Sequence, residues 1–224
     1  MTVSHKLPLS SDHLAAAVVF AAPAREFERG RLKPLVLHER SEHTAACIGC
    51  ILSAVGYLEA NINEFYSDAA EEGMSDGVAA TPTVLQRLKS IRGTVASKTT
   101  ILDKYDIVLT ICDLPTFDKG AAPYQGVARL IKLRNALTHF VPEWQPGGGP
   151  QEAADLDTLS RSLRNTFAEN TLAAPHEPFF PYRMLGYGSS KWAVTQSIAF
   201  VTEFMKRLGV GFRPSYILDS VQKL

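Results

Sequence analysis

Residues 133–140 read Leu-Arg-Asn-Ala-Leu-Thr-His-Phe, which brings three chemically useful side chains into two helical turns. Arg134 carries a permanent charge on a planar fork that can grip a phosphate through two hydrogen bonds. His139 titrates near neutral pH and can take or give a proton. Asn135 adds an amide one turn before the imidazole. A proton carrier beside a cation is what phosphodiester transfer without a metal requires: one moves the proton, the other meets the charge growing on the phosphoryl oxygens.

The element that must position them is a helix expected from about Pro123 to Phe140. Val141-Pro142 stops it, because the residue before a proline avoids the α region. At about 100° per residue, Val127, Leu130, Leu133, Arg134 and Leu137 fall on the core side, and Ile131, Asn135 and His139 form a neighbouring stripe. Arg134 and His139 are then roughly 140° apart. They meet on one phosphate only if Arg134 reaches around or a second copy of the helix packs opposite, as a twofold dimer would allow. The same residues have a structural reading too. Asn135 could bond a neighbouring helix, and His139 could cap the last carbonyls as a cation at the helix C-terminus.

The rest of the chain is patterned for helices. Ser10, Ser11 and Asp12 can cap a first helix toward Arg29, with Pro23 expected to kink or divide it. A longer helix is predicted over 41–70, with Ile48, Ile51, Leu52, Val55, Leu58, Ile62 and Phe65 at three- and four-residue steps. Thr81-Pro82 opens a helix to about Ile91, and another is expected over 97–112. Residues 113–123 are a loop punctuated by proline and glycine. Gln145–Pro150 is the clearest flexible break. A helix over 155–170, an irregular stretch over 174–188 and a final helix capped by Ser189/Ser190 and ending at Leu208 complete the pattern. Strand signals are scarce, so the expected fold is an all-α, up-and-down helical bundle with irregular loop insertions. Residues 1–40 read as a helical extension and 41–224 as one domain, with a Pro/Gly loop at 142–150.

Composition narrows the classes. Hydrophobic residues make up 46% of the 224 and charged residues 21%, which is globular rather than disordered. Lys+Arg and Asp+Glu are both 23, so any contact with nucleic acid must come from a local patch. Three cysteines without framework spacing suit a reducing compartment, and Leu14–Ala22 lacks the basic flank of a signal peptide. No unbroken run reaches the roughly 18 apolar residues of a membrane span, so the expected location is cytoplasmic.

Cys47-Ile-Gly-Cys50, with His43 one turn earlier, has metal or redox spacing. It lies inside an apolar helix with no second ligand pair, so the two cysteines read as packing residues. The remaining histidines have no metal spacing, and Gly147–Gly149 neither follows a strand nor opens a helix. No metal and no cofactor are expected. Tyr182, Tyr187 and Trp192 could stack bases, but their spacing fits core or interface better.

The motif helix, together with Leu58-Glu59-Ala60-Asn61-Ile62-Asn63-Glu64-Phe65 on the long upstream helix, resembles the HEPN superfamily. The likeness is clear over about residues 41–142. That resemblance implies an all-α bundle, a homodimer, and a metal-independent endoribonuclease of defence or toxin–antitoxin systems, whose partners are RNA and an antitoxin or other protein. It implies Arg134 and His139 as the catalytic pair, Asn135 as the accompanying polar residue, and Glu59 and Asn63 in support. Other members of the superfamily are catalytically silent modules that bind RNA or a protein, and that alternative applies here as well.

Overall fold

Small side chains set how the first two helices meet. Leu14, Ala17, Ala21 and Ala24 are all fully buried along α1 (Ser10–Glu28). The short reach of the three alanines lets α1 lie close against α2 (Leu37–Glu71), its most extensive neighbour. The computed structural model describes residues 8–30, 36–71, 81–139 and 158–210. Within them follow α3 (Pro82–Lys98), α4 (Ile101–Ile111), α5 (Tyr124–Thr138), α6 (Thr158–Leu163), a single π turn (Phe179–Arg183) and α7 (Tyr187–Arg207). No strand occurs among the described residues. The protein is an all-α helical bundle.

The long α2 is its axis, packed by α1, α3, α4, α5 and α7. By length and composition its stretch Leu37–Ala69 could also cross a membrane, with half of the most apolar window buried by the bundle. Counting unbroken apolar runs misses this, because scattered polar residues interrupt α2 without lowering its average much. The start of α1 is not capped by its own serines. Glu64 of α2 accepts from the Leu9 and Ser10 backbone N–H groups at 2.6 and 2.8 Å and from the Ser10 hydroxyl at 2.5 Å. A carboxylate from another element thus meets the orphan donors and the positive end of the helix. Nor does Pro23 divide α1, which continues through it to Glu28. Leu14, Ala17, Ala21 and Ala24 of α1 belong to the same core as the helices that follow.

Several boundaries differ from the sequence expectation. α2 begins at Leu37, and α7 begins at Tyr187 after Gly186, so Ser189 and Ser190 lie inside its first turn, with their hydroxyls donating to the Gly186 carbonyl. The break between α3 and α4 falls at Thr99-Thr100, where the Thr100 hydroxyl accepts from the Asp103 N–H and donates to its carboxylate at 2.6 Å. The helix expected over 155–170 ends at Leu163, where Asn165 with φ +62° turns the chain out of it. The loop at 142–150 lies outside the described residues.

What positions α5 is an aromatic cluster and the loop beneath it. Tyr105 packs edge-on against Phe200 and Phe204, with ring centroids 4.9 and 4.7 Å apart, and donates to the Leu58 carbonyl at 2.8 Å. Phe117 stacks on Phe200 at 4.4 Å. Arg207 lies over Phe117 and donates to the Pro115 and Thr116 carbonyls, both at 2.9 Å. The segment leading into α5 is thereby tied to the end of α7.

Candidate functional site

α5 buries Val127, Leu130 and Leu133 against the bundle, as the wheel expects. Arg134 follows on that side, half-buried, and its Nε is shut off from solvent with no hydrogen-bond partner among the described residues. Asn135 and His139 are exposed. His139 is the residue at which α5 stops (φ −114°, ψ 31°), its N–H bonded to the Asn135 carbonyl at 2.9 Å. The Thr138 hydroxyl back-bonds within the last turn, 3.0 Å from Arg134 O and 3.2 Å from Asn135 O. The His139 imidazole bonds no carbonyl among the described residues.

Among the described residues the side chains of Arg134, Asn135 and His139 make no hydrogen bond or ion pair. Asn135 and His139 are open to water, whereas the Arg134 Nε is a buried donor that has lost water without gaining a partner among the described residues. Within one protomer α5 still turns Arg134 and His139 to different sides, so the helix alone does not join them.

The supporting residues fall on α2, which packs against α5. Glu59 is half-buried and has neither hydrogen bond nor ion pair among the described residues. Asn63 is committed elsewhere: its Oδ1 accepts from the ammonium of buried Lys104 at 2.9 Å.

On the outer side of α5 runs a groove of about 660 Å³ that the sequence reading did not single out. Lys119, Arg129, Lys132 and Asn135 line it, with Ser162 of α6 opposite. The signal was present on the wheel: Gln125, Arg129, Lys132 and Asn135 recur at steps of four and three.

His43, Cys47 and Glu28 form the other polar cluster. The buried His43 Nε2 is 2.9 Å from Glu28 Oε1 and 3.9 Å from Cys47 Sγ. Both contacts use the same ring nitrogen, so no proton relay through the imidazole links thiol and carboxylate. Burial pushes the Cys47 and Cys50 thiols up to about 12, which keeps them protonated and inert near pH 7. Glu28 Oε1 also accepts from the Tyr187 N–H at 2.6 Å, so the cluster fastens α1, α2 and α7 together. No group of three His, Cys, Asp or Glu suited to a metal occurs among the described residues.

The fold defines a class, the all-α bundles, and goes no further than that. Comparison with protein-family models, curated proteins and solved structures returns no match.

Proposed function

We propose that this protein is a metal-independent endoribonuclease of the HEPN kind. It acts as a cytoplasmic homodimer in a defence or toxin–antitoxin setting. The observation that supports the reading is the end of α5, where Asn135 and His139 are exposed and the buried Arg134 Nε has no partner among the described residues.

In the proposed reaction the RNA 2′-oxygen bonds to the adjacent phosphorus as the bond from phosphorus to the 5′-oxygen breaks. DNA, lacking that hydroxyl, is spared. His139 takes the 2′-hydroxyl proton while water protonates the leaving 5′-oxygen, or as imidazolium it protonates that oxygen while water takes the 2′ proton, a contribution of about 10²–10⁴-fold in rate. Arg134 of the partner copy faces the charge on the phosphoryl oxygens with a fork that lysine lacks. Asn135 holds the imidazole tautomer or a phosphate oxygen. We give the supporting role to Glu59, since Asn63 is engaged by Lys104.

The test is incubation of the purified chain with labelled RNA and excess chelator. Cleavage leaving 2′,3′-cyclic phosphate ends is expected, and Arg134→Ala or His139→Ala abolishes it with the helical circular-dichroism signal retained. Undiminished cutting by either variant would move the active site elsewhere. Intact RNA that shifts in a gel would make the chain a binding module.

A further inference from the structure

The proposed chemistry uses one end of α5 and leaves its outer groove without a role. That groove holds a charge excess that the balanced chain hides. Among the described residues Lys119, Arg129 and Lys132 line it and no Asp or Glu does, although the whole sequence has 23 residues of each sign. Of these three cations only Lys119 has a counter-charge nearby among the described residues, Asp106 at 3.8 Å. Arg129 makes one long bond, to Gln125 at 3.4 Å. Lys132 is exposed and in no ion pair among the described residues. Neutral donors, Asn135 and Ser162, complete the wall. From Gln125 to Asn135 the helical side extends about 15 Å. A concave track of cations with low-dielectric walls concentrates a polyanion.

We propose that this groove binds the phosphodiester backbone of a single-stranded nucleic acid and leads it to the end of α5. RNA is the strand that reacts there. Asn135 belongs to both places: it lines the groove and stands one turn before His139. No aromatic side chain among the described residues lines the groove, so its walls offer no stacking platform. Recognition falls on phosphates and carries little sequence preference. That RNA is the reacting strand rests on the nuclease reading, whereas the groove's hold on phosphates does not.

A DNA oligonucleotide is therefore the probe, because it presents the same phosphates and cannot be cut by 2′-oxygen attack. Fluorescence anisotropy of a labelled single-stranded DNA is followed against salt concentration for the full chain and for the Arg129→Gln/Lys132→Gln variant. The double variant binds at least about tenfold more weakly, and its log–log salt slope falls by about 1.4, or 0.7 for each phosphate that no longer meets a cation. Lys89→Gln removes an exposed α3 cation that does not line the groove, and it keeps the parent affinity. An unchanged affinity and slope in the double variant, or an equal loss in Lys89→Gln, overturns the proposal. The two readings fail separately. If RNA stays intact while DNA binding depends on Arg129 and Lys132, the nuclease falls and the groove stands. If RNA is cut by the double variant with the parent kcat and KM, the groove falls and the nuclease stands.

Discussion

Arg134 sits where folding alone would favour an apolar side chain. Its Nε is buried without a partner among the described residues, a situation that costs on the order of 1–3 kcal/mol. Arg134→Met keeps the aliphatic stem and removes that donor, so we expect it to abolish RNA cleavage while raising the stability measured by urea unfolding by about 1 kcal/mol. A less stable Met variant would mean that the guanidinium serves the fold. Asp106 offers a second test at this scale. Burial raises its pKa from the ordinary 3.8, despite Lys119 nearby. A carboxyl raised in the folded state gives full stability below the unfolded value and loses it as pH rises through the folded one. Asp106→Asn should therefore stabilise the protein near neutral pH, with the advantage shrinking as pH falls toward 3.8 in urea melts. Residue types told part of this story. The sequence singled out Arg134, Asn135 and His139, and the structure leaves all three unpartnered among the described residues. It could not reveal that Asn63 is taken by Lys104, because that bond joins helices 41 residues apart in the chain.

Elements were legible where a stripe and a cap agree. α2 and α5 followed from apolar periodicity, and Thr81-Pro82 opens α3 as read, with the threonine hydroxyl accepting from the Val84 N–H. The α3–α4 boundary is marked by Thr100-x-x-Asp103, a capping signal three residues after Ser97, where the helix is expected to begin. α6 was overestimated because Leu163 and Phe167 keep helical spacing across Asn165, whose left-handed backbone no periodicity encodes. The start of α7 holds a position that local propensity would misjudge. Alanine normally improves a helix over glycine by about 1 kcal/mol. At Gly188, however, a Cβ would lie 2.1 Å from the Ala168 carbonyl oxygen, a backbone atom that cannot swing aside. Gly188→Ala should thus lower stability by about 1–3 kcal/mol, read as a drop in Tm. An unchanged or higher Tm would show that the helix start moves freely.

At the scale of the whole molecule the question is whether one chain is enough. Arg134 and His139 face about 140° apart on α5, so the proposed site draws its arginine from one copy and its histidine from the other. Mixing Arg134→Ala protein with His139→Ala protein should then restore RNA cleavage. Random exchange makes half the dimers mixed and leaves one of their two sites intact, for about a quarter of the parent rate. No recovery after subunit exchange, verified with tagged chains, would rule out a shared site.

The Glu28 carboxylate joins the amino-terminal helix to Tyr187, 159 residues further along the chain. During synthesis that helix leaves the ribosome long before the segment it clasps exists, so the part of its flank that α7 covers stays bare until residues 187–207 have emerged. That contact, of high sequence separation, forms after the pairing of α1 with α2.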